Sequence, residues 1–243
     1  MTVLIEPVKV NNRLLALLPT MVRGSLLACS ESVELTFGEI LCQPHQDYQH
    51  VYFPVSSFIS LVTQVTGHKP LEMGLIGNEG MLGVTLTLGI IAVPTQAIVQ
   101  GSGMAWRIKV VLFQQLLQQY PELHQIFQRY LFVLLQQLSQ SAACAHFHSL
   151  EQRLARWLLM SQDRAHADQV YLTQVFLADM LGVRRSGITV AAHRLQHQQI
   201  IRYSRGTIQI LNRPALLLIA CECYQITRDD YTKRLGGNSA VAL

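Results

Sequence analysis

The sequence predicts an α+β fold in three consecutive parts: an antiparallel β-roll, a long helix, and a small helical unit closed by a β-hairpin. Three observations carry that expectation. From residue 32 to about 108, short apolar runs follow one another at roughly 8 to 12 residue spacing, the pattern of a sandwich or barrel. From 110 to 164 the apolar period lengthens to about 3.6 residues. From Leu172 to Ile210 the chain spells a helix, a tight turn, a second helix and two β-rich runs.

In chain order, residues 11–27 read as a short helical lead-in broken by Pro19. The strand-like runs are VELTF, HVYFPV, SFISLVTQV, LEMGLI, QAIVQ and MAWRI, and the flanking helices would cover their apolar faces. A short helix over Val111 to Gln119 precedes Pro121, and a long helix begins near Glu122. Along it Phe127, Leu131, Leu134, Leu138, Ser141 and Ala145 alternate spacings of four and three, the seam of a coiled coil. A symmetric homodimer is the expectation. The competing reading lays this helix on its own barrel, since Tyr130 and Leu135 widen the apolar face.

In LTQVFLADMLGV, the Thr173 hydroxyl can cap a helix whose inward positions are Leu177, Met180 and Leu181. Small Ala178 lets a second helix approach, and Gly182 supplies the positive φ that a steep helix-helix turn needs. Ile188 plugs back into the first helix, with Val183 and Leu195 completing the seam. The outer side then carries Arg184, Arg185, Ser186, Thr189 and His193, a basic and hydroxyl-bearing face suited to the major groove of double-stranded DNA. IIRY and TIQI follow as a hairpin, with Ser204, Arg205 and Gly206 expected as a three-residue loop. Arg202 and Arg205 would set charge beside the DNA backbone.

With 243 residues the chain is long enough for two cores. The expected domains are residues 1–120 for the roll, 121–149 for the dimerisation helix and 150–235 for the winged helix-turn-helix, with 236–243 a disordered tail. Only 14% of residues are charged, and 24 Gln supply much of the missing polarity. The uncharged run from Met81 to Gln100 contains Gly83, Gly89 and Pro94 and lacks the roughly 20 apolar residues of a spanning helix. No membrane partner is expected, and with no leader pattern the cytoplasm is the default location. Net charge is +4, but the first 149 residues hold 7 basic against 8 acidic side chains and the remainder 12 against 7. The basic surplus thus coincides with the helix-turn-helix, as a polyanion partner requires. Cys29, Cys42, Cys144, Cys221 and Cys223 form no CxxC pair; Cys221 and Cys223, placed in a helical stretch, would diverge and remain buried reduced thiols.

A β-roll, a long helix and a winged helix-turn-helix in this order resemble the Crp/Fnr family of bacterial transcription regulators. The likeness runs from Asn11 to about Tyr224 and is most specific in LEQRLARWLLMSQDR, LTQVFLADMLGVRRSGITVAAHRL, VYFPVSSFISLVTQV and IGNEGMLGV. It implies a cyclic-nucleotide-binding-like jelly roll and a homodimer whose recognition helices enter successive major grooves of a pseudo-palindromic site. Transcription would be raised or lowered, often through RNA polymerase. The base-reading positions map to Arg185, Ser186 and Val190, with Thr189 beside them; Val190 stands where some relatives carry Arg, so a thymine methyl becomes its natural contact.

The effector pocket departs from the family's cyclic-nucleotide cassette. Gly83 remains, but Val84 replaces the ribose-binding acid, and Thr95 and Gln96 replace the phosphate-binding Arg and its hydroxyl partner. Control by a cyclic nucleotide is therefore not expected. Iron-sulfur sensing would need a cysteine cluster near the start, where only Cys29 and Cys42 occur in the first hundred residues. Haem or another small effector stays open, with His193 and His197 read as surface or DNA-facing. No resident cofactor and no metal ligands are expected. The rival readings are a cupin-like metal enzyme, needing His45, His50 and His68 to converge in the barrel, and a module that docks on an acidic protein.

Overall fold

In the computed structural model, residues 11–165 and 169–236 are described; residues 237–243 of the expected tail lie outside them. Pro19 separates α1 (Arg13–Ala16) from α2 (Thr20–Ala28), as its fixed φ and missing N–H require. Asn12, fully buried, anchors this lead-in: its amide donates to Pro54 O at 2.8 Å and Gly80 O at 3.0 Å, while its Oδ1 caps Leu15 N at 2.9 Å.

The roll consists of β1 (Glu31–Leu35), β2 (Ile40–Cys42), β3 (His50–Pro54), β4 (Phe58–Thr63), β5 (Leu71–Ile76), β6 (Gln96–Gly101) and β7 (Gly103–Lys109). Two antiparallel sheets result, ordered β1-β7-β3 and β2-β6-β4-β5. In the first, Phe53 lies opposite Trp106; in the second, Ser60 lies opposite Ile98. β2 was not among the expected strands, because it is three residues long and its pairing with β6 shifts register between Ile40 and Cys42. A 3-10 turn over Val84–Leu88 lies in the connection from β5 to β6 within the second sheet, bracketed by Gly83 at φ 98° and Gly89 at φ 75°.

Two helices close the roll, α3 (Val110–Gln119) and α4 (Pro121–Phe147), with Pro121 at the first helical position of α4. Phe53, Phe113 and Phe127 meet with ring centroids 5.8 to 6.4 Å apart, joining one sheet to both helices. The Gln137 side chain pairs with the edge strand as another strand would: it accepts from Leu75 N at 2.7 Å and donates to Leu75 O at 3.2 Å. Gly74 permits this approach, since a Cβ there would sit 3.1 Å from Leu138 and 3.3 Å from the Gln137 oxygen.

That docking corrects the phase of the expected seam. Phe127 and Leu134 are buried in the chain's own first core and are not available to a second copy. Leu131, Leu138 and Ser141 are half-buried, and Ala145 is exposed. The exposed positions beside them are Gln128, Phe132, Leu135, Ser139 and Ala142, with Leu135 58% exposed and Arg234 of the C-terminal helix over the Phe132 ring.

The remaining elements are α5 (Leu150–Ala165), β8 (Gln169–Tyr171), α6 (Gln174–Met180), α7 (Arg185–His197), β9 (Ile201–Ser204), β10 (Thr207–Ile210), α8 (Arg213–Ile219) and α9 (Cys223–Leu235). Their core holds Leu154, Trp157, Leu158, Leu177, Ile188, Leu195, Ile201 and Ile208. The wing has three strands, ordered β8-β10-β9. Its hairpin differs from expectation: Ser204 pairs with Thr207, so the loop is only Arg205-Gly206, at φ 49° and 81°. Two consecutive left-handed residues give the tight turn whose twist matches the strands.

The two cores interlock. Phe58 and Leu75 of the roll pack in the second core, while Tyr231 and Leu235 of α9 return to the first. Arg164 of α5 meets Glu79 of the roll at 2.6 Å, and Tyr231 donates to Glu79 O at 3.0 Å. Cys221 also departs from the sequence reading, lying in the break between α8 and α9 rather than in a helix. The chain bend there lets Cys221 and Cys223 point together, toward Cys144.

Candidate nucleic-acid interface

The second helix of the helix-turn-helix, α7, separates two faces by its period. Ile188, Ala191, Ala192 and Leu195 are buried, whereas Arg184, Arg185, Ser186, Thr189, Val190 and His193 are exposed. Gly187 lets α7 cross α5 closely, because a Cβ there would lie 2.9 Å from Leu150. The turn into α7 is made at Gly182, with φ 64°. Thr173 caps α6 as expected, accepting from Phe176 N at 3.2 Å.

Thr189 is held in place: its hydroxyl is 2.8 Å from Gln174 Oε1 and 3.1 Å from Arg185 O. Gln174 was not among the sequence candidates, although it begins α6 next to Thr173 and lines a cleft with Arg185, Tyr203 and Arg205. The wing is tied to the helices by Tyr203, whose hydroxyl donates to Leu172 O at 2.7 Å and whose N–H donates to Gln196 Oε1 at 2.8 Å. Desolvation by burial pushes the Tyr203 phenol up, so it stays a neutral donor. Arg202 and Arg205 are exposed on the hairpin. Val190, 54% exposed, is the apolar patch on this otherwise polar face.

The roll touches α6 from the other side. Lys69 pairs with Asp179 at 2.7 Å, Phe37 meets Phe176 at 5.5 Å, and a Cβ on Gly182 would stand 2.8 Å from Leu71. One acid near the recognition face is thereby partnered. The effector-type pocket is built differently from a phosphate site. Gly83 keeps its left-handed conformation against Val51, but Val84 is buried in the first core with Tyr48, Leu86 and Val93. Thr95 and Gln96 are half-buried, and the Gln96 amide donates to Gln43 Oε1 at 2.9 Å.

The histidines weighed for a cupin-like centre do not come together with other ligand types: His45 and His68 are exposed in turns, and His50 sits on β3. Among the described residues, the grouping of side chains able to hold a metal is Cys144, His148, Cys221 and Cys223. Sequence reading expected no metal ligands and missed these four.

Residues 152–219 match the family model described as the Crp-like helix-turn-helix domain. That match runs from α5 to α8 and so includes the exposed basic helix α7. No curated protein matched the sequence. Among solved structures, FixK2 from Bradyrhizobium japonicum superposes with a TM-score of 0.67 at 14% identity, covering 79% of this chain and 98% of that one. The c-di-GMP responsive global regulator CLP of Xanthomonas campestris gives 0.64 at 17%, covering 79% and 99%. A CRP-family transcriptional regulator from Thermus thermophilus gives 0.65 at 14%, covering 77% and 96%. The chain shares the fold of these structures, with the residues that match the Crp-like model following the roll and α4. No helix among the described residues is long and apolar enough to cross a membrane.

Proposed function

We propose that the protein is a homodimeric, sequence-specific DNA-binding transcription regulator that places two copies of α7 in successive major grooves of a pseudo-palindromic site. The observation that carries this reading is the exposed face of α7, basic and hydroxyl-bearing over a fully apolar inner face. Arg185 is the candidate for forked recognition of guanine, Ser186 and Thr189 for short hydrogen bonds, and Val190 for a thymine methyl. Arg184, His193, Arg202 and Arg205 would meet phosphates around that contact. Thr173 caps the helix that crosses the backbone.

Dimerisation is assigned to the outward stripe of α4. Gln128, Leu131, Leu135, Leu138, Ala142 and Ala145 alternate spacings of three and four; Leu131 and Leu138 are half-buried against the roll, and the other four are exposed. The proposal does not include control by a cyclic nucleotide. Val84 is buried, and uncharged Thr95 and Gln96 stand where a cation would be needed.

Selection of random duplex DNA by the purified protein, without added ligand, tests the reading. Enrichment of a two-fold symmetric site with half-sites about one helical turn apart is the expected result. A folded dimer that enriches nothing overturns it as stated.

A further inference from the structure

We propose that Cys144, His148, Cys221 and Cys223 form a mononuclear zinc site that staples both ends of the helix-turn-helix unit to α4. Their ligand atoms all lie within 4.8 Å of one another. Cys144 Sγ is 3.5 Å from Cys221 Sγ, and Cys223 Sγ is 3.4 Å from His148 Nδ1. Zinc bonds of about 2.3 Å to sulfur and 2.0 to 2.1 Å to nitrogen put tetrahedral ligands roughly 3.4 to 3.8 Å apart. Two edges of the tetrahedron are thus already formed, and the longest must close by about 1 Å to reach that range. Three thiolates and one imidazole select a borderline-soft, tetrahedral ion over the hard cations that take oxygen ligands.

The surroundings are built for ligation. With Nδ1 turned to the sulfurs, His148 Nε2 lies 3.2 Å from Glu222 Oε1, the carboxylate-histidine arrangement that fixes the tautomer and orients the ring. Gln140 Nε2 donates to Cys223 Sγ at 3.0 Å. The Cys144 and Cys221 thiols share a hydrogen bond, so the two sulfurs already face one another. A divalent ion with three thiolates carries one net negative charge. Arg153 and Arg156, which line the same pocket as Cys144, offset it. Binding sends the thiol protons to solvent, so affinity falls with acidity.

Position gives the site its consequence. Cys144 and His148 are one helical turn apart at the end of α4, where His148 is the C-cap and α5 begins at Leu150. Cys221 lies 77 residues after Cys144 and Cys223 lies 75 after His148, at the break between α8 and α9. The chain enters the Crp-like domain through the first pair and leaves it through the second. One ion therefore fixes both hinges about which that domain could turn against α4.

The test is titration of the reduced, metal-free full-length protein with Co²⁺, read by absorbance. The expected result is the visible d–d bands of tetrahedral cobalt with a thiolate charge-transfer band, saturating at one equivalent per chain. Zn²⁺ should displace it with about nanomolar or tighter affinity and raise Tm. Cys144→Ser and Cys223→Ser should lose the spectrum, and Cys29→Ser, at an exposed site, should keep it. Wild-type protein that gives no such bands, or bands that survive in both site variants, overturns the site. Should a variant fail to fold, the wild-type titration alone decides. None of these readouts involves DNA, so the site can fail or stand independently of the function proposed above. Amide hydrogen exchange then reads the staple: protection at 148–150 and 220–223 should rise on zinc binding, and unchanged protection with bound metal overturns the hinge role.

Discussion

Glu79 and Arg164 show how one pair of residues holds the roll to the Crp-like domain. Their charges meet at 2.6 Å with 7% and 9% of the side chains exposed. Arg164 also donates to Met160 O at 3.0 Å, and Glu79 accepts from Gly77 N at 3.2 Å. Such a pair gains little over a well-packed apolar one, but removing a single partner strands a buried charge. Arg164→Ala is expected to lower unfolding stability by about 3 to 5 kcal/mol in urea titration, while Glu79→Gln with Arg164→Met should cost much less. At the recognition face, Arg185→Ala should cost about 1 to 3 kcal/mol at the selected DNA site. Equal loss on random DNA would make Arg185 a phosphate contact instead. The exposed positions of α7 were legible because a 3.6-residue period assigns each side chain a face from local sequence alone. Gln174 was not, because its role depends on Thr189 reaching across from another helix.

At the scale of elements, α4 separates what a pattern reveals from what it leaves open. Its length and helical period followed from Pro121 and the apolar spacing. Its phase did not, because two stripes about one position apart both satisfy the alternation of four and three. Long-range contacts choose between them: Gln137 pairs with Leu75, and Phe127 enters the Phe53 and Phe113 cluster. Two neighbouring substitutions should therefore behave differently. Leu135→Asp is expected to halve the mass seen by light scattering while leaving the circular dichroism of the fold intact. Leu134→Asp should lower Tm sharply, since it buries a carboxylate in the first core. A Leu135→Asp protein that remains dimeric would remove this stripe as the interface. The wing hairpin follows the same logic, for its turn residues were identified but the pairing of Ser204 with Thr207 shortened the loop.

Over the whole molecule, the sequence laid out roll, helix and winged unit in order, while the interlocking of the two cores and the cysteine cluster stayed hidden. Cys144 and His148 at helical i, i+4 spacing and Cys221-Glu222-Cys223 were visible as two fragments, but only the return of α9 along α4 unites them. Glu72 lies at the same junction. Its carboxyl accepts from Ser60 Oγ at 2.6 Å within the roll and from Trp157 Nε1 at 2.8 Å on α5. Burial pushes its pKa up from 4.5 to about 7, with the two hydrogen bonds and the charges of Arg156 and Arg164 pulling the other way. The folded protein therefore holds this proton more tightly than the unfolded chain, and stability falls with pH wherever the folded state binds more protons. The contribution is fully present below about 4.5 and is lost as pH rises through about 7, a span worth about 3 kcal/mol. Glu72→Gln keeps a neutral acceptor for Trp157 but cannot ionise. Between pH 5 and 8 (roughly the window over which the proton leaves), wild-type stability should decline relative to Glu72→Gln in paired urea titrations. Parallel curves for the two proteins would show that Glu72 is ionised throughout and that the junction does not respond to pH.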